Sequence, residues 1–192
     1  MPRTKILLLL IMMISSLSAV GERQSGNPDP LPLISSVSVA SPDLLLPEGT
    51  TFTWHENGQE IHADDRLKNA NFKEMIDSGI ENTLVSSGYK FVDPKEGAKY
   101  QIAYTAALEK DLTDRDILSR FGLLPGYPAI HSEQTRFERG SLIIYLVDPS
   151  HRTVVWRSAT QSAVDFKADN ESRKQRITRI IHEMLETLPR SR

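Results

Sequence analysis

The sequence predicts an α+β domain, with a mostly antiparallel sheet and two main helices packed on one face. Three observations support this. Segments with strand patterning alternate with two helical stripes in the order strands, helix, several strands, helix. Residues 141–147 (SLIIYLV) are apolar on both faces, as a strand in the middle of a sheet is. The polar stretch 148–152 (DPSHR) then turns the chain into a second strand, the pattern of a hairpin.

The elements follow in order. Residues 1–21 have the three-part form of a cleaved export signal. Arg3 and Lys5 are basic, residues 6–14 (ILLLLIMMI) are apolar, and small residues at Ala19 and Gly21 place cleavage after Gly21. Cleavage after Ala19 and a retained inner-membrane signal anchor are the alternatives. The apolar run is about half of the roughly 20 residues that span a bilayer as a helix. Residues 22–35 hold three prolines and read as a spacer. A single domain over 36–190 follows.

Val37 and Val39 alternate with serines, and 51–54 (TFTW) alternate again. Asn71 and Glu74 open a helix whose stripe is Phe72, Ile76, Ile80 and Leu84, with Gly88 at its end. Gly79, in mid-helix, marks close packing. Tyr89–Val92 and Tyr100–Leu108 are strands around the turn 93–97 (DPKEG). A weak helix runs from Thr113 to Phe121 and stops at Gly122. The rest of 109–139 is a long irregular loop, of the kind that is functional or mobile. Thr153–Val164 pairs with the apolar strand. Asp169 or Asn170 caps the last helix, which carries Ile177, Ile180, Ile181, Met184, Leu185 and Leu188 and ends before Pro189.

Composition excludes several classes. The chain has no cysteine, so disulfides and thiolate metal sites are excluded. Residues 17–20 (LSAV) have the form of a lipid-attachment box with Val20 where the cysteine belongs, so no lipid anchor is expected. Net charge is −2, and loss of Arg3 and Lys5 with the signal takes it to −4, which gives no general case for nucleic acid. Membrane contact is expected only if the signal segment is retained.

The segments TFTW, GYKFVD, AKYQIAYTAAL, GSLIIYLVDP, VVWRSA and RITRIIHEMLETLP, in that order over residues 36–190, resemble the domain of unknown function 4136 family. That family consists of exported bacterial proteins, many of them lipoproteins. The resemblance implies an envelope location and no assigned reaction, and Val20 departs from its lipoprotein members.

Several groupings invite a chemical reading. Asp148, Ser150 and His151 contain the residue types of a catalytic triad, but a turn does not hold a base firmly within about 3 Å of a nucleophile. The sequence therefore predicts a hairpin turn there and no catalytic residue. Residues 87–90 (SGYK) match S-x-x-K, but the serine ends a helix where the penicillin-recognising enzymes begin one. His55 and His62 lie in a polar stretch, 55–65, read as a solvated loop. With His131 they are the weak alternative for a metal centre in a hydrolytic or metal-dependent periplasmic enzyme. Arg173, Lys174, Arg176 and Arg179 form a basic cluster at the start of the last helix, read as a solvated face.

The balance points to an exported, soluble, non-catalytic binding or accessory protein of the periplasm, with no cofactor and another envelope protein as partner. The expected contact residues are Phe121, Leu123, Leu124 and Tyr127 in the long loop, with Trp156 and Arg157 on the hairpin. A carrier of a small apolar ligand is the remaining alternative and needs a pocket of at least roughly 300 Å³.

Overall fold

Strand β5 (Phe137–Asp148) and strand β6 (Thr153–Asp165) form a long antiparallel hairpin in the centre of a six-stranded sheet. In this computed structural model, residues 34–62, 71–127 and 137–191 are described. The export signal and nearly all of the spacer therefore lie outside the described residues. Ile34 and Ser35, read as the end of the spacer, already belong to β1 (Ile34–Ala40). The other strands and α-helices are β2 (Thr51–His62), α1 (Phe72–Ser86), β3 (Lys90–Phe91), β4 (Tyr100–Leu108), α2 (Asp114–Phe121) and α3 (Asn170–Leu185), with a 3-10 turn at Pro94–Glu96.

The spatial order is β1-β6-β5-β4-β2-β3. Three pairings are antiparallel, but β4 with β2 and β2 with β3 are parallel. The sheet is mixed, which corrects the expectation of a mostly antiparallel one. The cause is α1, a helical connection after β2 that lets β3 and β4 run in the direction of β2. His55 and His62 also lie on strand β2, not in a loop. The strand bends through a register shift between Trp54 and Gln59, where Asn57 has φ +57°.

The register separates two faces. Ile144 and Leu146 of β5 join a core with Phe52, Ile102, Tyr104, Trp156 and the stripes of α1 and α3. Ile143 and Tyr145, their alternates, belong to a second cluster with Ala107, Ala159, Leu112, Ile117 and Leu123. The first face is thus covered by α1 and α3, and α2 belongs to the second. Helix α1 approaches α3 closely at Gly79, where an added Cβ would stand 2.8 Å from Ile181 Cδ1. Trp54 Nε1 donates to Glu81 at 2.9 Å and Tyr104 Oη to Asp77 at 2.8 Å, tying α1 to the sheet. Asn71 bonds the Glu74 side chain and leaves the helix backbone without a side-chain cap, so its N-x-x-E pattern does not close into a capping box. Thr113 and Asp116 form a complete one at α2, and Gly122 ends that helix at φ +63°.

Candidate binding groove

On the second face, cross-strand neighbours form rows. One row is Ser35, Gln161, Ser141 and Ala107, and the next is Val37, Ala159, Ile143 and Thr105. The third is Val39, Arg157, Tyr145 and Ala103. Leu112, Ile117 and Leu123 pack with Ala107, Ala159 and Ile143 and so shield the first two rows. A polar network holds this cover in place. Arg139 is 6% exposed; its Nη1 donates to the Tyr127 carbonyl at 3.0 Å and lies 3.2 Å from Asp114 Oδ2, while Nη2 reaches Glu109. Gln161 donates to Asp114 at 2.7 Å and accepts from the Tyr127 N–H at 3.3 Å. Ser35 donates to the Pro125 carbonyl. The N-terminus of α2 and the segment after its C-terminus are therefore both fastened to the sheet.

The cover stops short of the third row. There the end of α2 and the sheet leave a groove of about 560 Å³ lined by Arg120, Phe121, Gly122, Tyr145, Val154 and Arg157. Phe121 and Tyr145 form its aromatic floor, with ring centroids 6.0 Å apart and planes inclined at 42°. Arg120 lies over the Phe121 ring at 5.2 Å and within 3.5 Å of Glu60, which also accepts from Thr105 at 3.1 Å. Burial raises the Tyr145 phenol above its ordinary pKa, and the nearby Glu60 charge raises it further against the opposing pull of Arg120. Arg157 Nη2 would lie 3.3 Å from a Cβ at Gly122, so the glycine leaves the notch that the guanidinium enters. Arg157 Nε is buried with no hydrogen-bond partner among the described residues.

Of the expected contact residues, Phe121 and Arg157 line this groove. Leu123 and Tyr127 do not offer exposed apolar contact, because they are 2% and 8% exposed and anchor the segment after α2. Leu124 is exposed. Trp156 is 1% exposed on the opposite face and belongs to the first core. Tyr145, Arg120 and Val154 also line the groove and were not among the expected contact residues. Tyr145 sits in a strand apolar on both faces, and only the register shows it beside Arg157.

The 148–152 turn does bring Asp148, Ser150 and His151 together, but not as a relay. His151 Nδ1 faces both Asp148 Oδ2 at 2.9 Å and Ser150 Oγ at 3.2 Å, while the serine hydroxyl donates to Asp148 Oδ1. A relay needs one ring nitrogen for the acid and the other for the nucleophile. Here one nitrogen faces both, on a ring 76% exposed. The arrangement is a turn closed on a carboxylate, with Arg152 at φ +54°.

His55 Nδ1 lies 2.8 Å from the Glu56 carbonyl, and His62 borders an apolar cleft. His131 lies outside the described residues, and no three metal-ligating side chains gather among those described. The cleft, between Phe72 and Ile76 of α1, Ile177 and Ile180 of α3, and Ala106 and Leu142 of the sheet, measures about 120 Å³. That is below the range for small-molecule pockets. Among the described residues no helix is long and apolar enough to cross a membrane.

The family model described as "Domain of unknown function (DUF4136)" matches residues 40–190. Among solved structures, the chain is similar to the PelC dodecamer from Paraburkholderia phytofirmans, with TM-score 0.49 and 12% identity over 83% of this chain and 100% of that one. It is similar to a DUF4136 family protein from Bacteroides thetaiotaomicron, with TM-score 0.46 and 13% identity over 80% of this chain and 94% of that one. A PDZ domain protein from Parabacteroides distasonis is also similar, with TM-score 0.42 and 12% identity over 84% of this chain and 37% of that one. No curated protein matches.

Two outcomes test the geometry. Arg139→Met removes the clamp; because Glu109 and Asp114 keep 42% and 40% of their side-chain surface, the loss is about 1–3 kcal/mol, less than for a fully buried pair. Amide exchange then speeds at Tyr127, and unchanged protection there would contradict the clamp. The Ser150 hydroxyl first, then the His151 ring and the backbone N–H groups of both, hold the Asp148 carboxyl well below the usual carboxylate range. A depressed folded value stabilises above the ordinary aspartate value of about 3.9 and is lost as pH falls through the folded one. Urea midpoints should therefore fall less steeply with acidification in Asp148→Asn than in the wild type.

Proposed function

The chain belongs to the DUF4136 family, a domain of unknown function, and from that premise we propose that it is an exported, non-catalytic binding or accessory protein of the bacterial envelope. The reading places it in the periplasm after cleavage behind Gly21, with another envelope protein as partner. One observation carries it. Among the described residues, the sheet and the end of α2 leave a groove, and it holds an arginine with no described partner next to two aromatic rings. Arginine and aromatic side chains are over-represented where binding energy concentrates. The described residues that line the groove are two arginines, two aromatics, a valine and a glycine, a set that suits recognition.

The test is crosslinking and recovery of the tagged protein from its host. Wild type is compared with an Arg157→Glu/Val154→Asp variant and with Val85→Asp, whose site is exposed on α1. The expected result is one recurrent envelope partner with wild type and V85D, lost with the groove variant, and a mature chain beginning at Glu22 in the periplasmic fraction. No recurrent partner, or equal recovery with the groove variant, overturns the binding reading. A chain retained in the cytoplasm overturns the location.

A further inference from the structure

Resting on the groove as the binding surface, we propose that its ligand is an acidic peptide segment of the partner, whose carboxylate pairs with Arg157 while a neighbouring apolar side chain covers the Phe121–Tyr145 floor.

The charge balance of the groove points to a carboxylate. Two guanidiniums border it, Arg120 and Arg157. The nearby acid is Glu60, and it is engaged by Arg120 at 3.5 Å and by Thr105 at 3.1 Å. Arg157 forms no hydrogen bond or ion pair with any described residue, although its Nε is shut off from solvent. A half-buried guanidinium that has lost part of its hydration and gained no acceptor is incomplete. A carboxylate matches its fork with two parallel bonds. The bland alternative is that Arg157 caps the last carbonyls of α2, where a cation is favourable. Its guanidinium does sit in the Gly122 notch, but it makes no hydrogen bond to those carbonyls.

The surroundings favour a peptide over a sugar acid. Val154 is 43% exposed in the groove wall, and Val39, directly across from Arg157 in the register, is 44% exposed. With the two aromatic rings they place apolar surface around the single unmatched charge. A ligand with a carboxylate on one residue and an aliphatic side chain nearby complements both features. A polymer with a hydroxyl on nearly every carbon would leave the valines without a partner. The groove volume of about 560 Å³ falls within the usual range for specific ligand sites.

The experiment titrates mature full-length protein with three labelled probes: a hexapeptide alternating leucine and glutamate, the same peptide with glutamine for glutamate, and a hexamer of galacturonate. The glutamate peptide should bind roughly tenfold or more tightly than either control, and its affinity should fall as salt is raised. Arg157→Gln should remove that advantage and Arg157→Lys should restore it in part, with thermal melting showing that both variants remain folded. Equal binding of the glutamine peptide, tighter binding of galacturonate, or glutamate-peptide binding unchanged in R157Q overturns the proposal. If the recovery experiment yields a partner lost with the groove variant while the glutamate peptide fails to bind, the ligand class is wrong and the binding reading stands. If no partner is recovered, the binding reading itself fails.

Discussion

Strand β5 points Ile144 and Leu146 to one side and Ile143 and Tyr145 to the other, so the centre of the sheet must be shielded from water on both faces. Each such side chain contributes roughly 1.5–3 kcal/mol only where something covers it. Helices α1 and α3 cover the first face over a broad area. Among the described residues, the second face is covered by the eight residues of α2 and the short segments next to it. Such a small cover has little apolar area of its own, and Arg139 and Gln161 bind its two ends to the strands. The groove is what this arrangement leaves over: a row of sheet that α2 reaches only with its last residues.

That origin separates the groove from the apolar cleft on the first face. The cleft lies within a full helical cover, beside the small residues Ala106 and Gly140, and amounts to a packing gap of about 120 Å³. The groove lies at the limit of a cover and keeps polar and charged groups at its border. Its aromatic floor is rigid because Tyr145 stands in the central strand and Phe121 closes α2, whose ends are capped by Thr113 and Gly122. Recognition surfaces gain from such fixed groups, since little ordering remains to be done on binding.

The sequence made most elements legible because their signals are local. The stripe Ile76, Ile80, Leu84, the Thr113 cap, the Gly122 stop and the DPSHR turn each depend on residues within a few positions. The direction of β2 relative to β4 was not legible in that way. Strands that follow one another read as hairpins unless the intervening helix is taken as a crossover, and so the sheet was expected to be mostly antiparallel. The site suffered from the same limit. Phe121 and Arg157, which line the groove, were named by type, as an aromatic and an arginine beside turns. Tyr145 and Arg120 join them only through cross-strand register and the placement of α2. Leu123 and Tyr127 look like exposed loop residues in sequence, but Leu123 packs on Ala107, Ile143 and Ala159, and Arg139 and Gln161 hold the Tyr127 backbone from more than ten positions away.

The absence of cysteine allows the central claim to be tested one position at a time. A single cysteine is placed at Val154 or Val39 beside the groove, or at Val85 or Leu45 elsewhere on the exposed surface, and coupled to a short photoreactive crosslinker in the presence of envelope extract. Adducts of one common mass from positions 154 and 39, with none from 85 and 45, are the predicted result. Adducts of equal yield from all four positions, or from 85 and 45 alone, would contradict a binding surface set by the row that α2 leaves open.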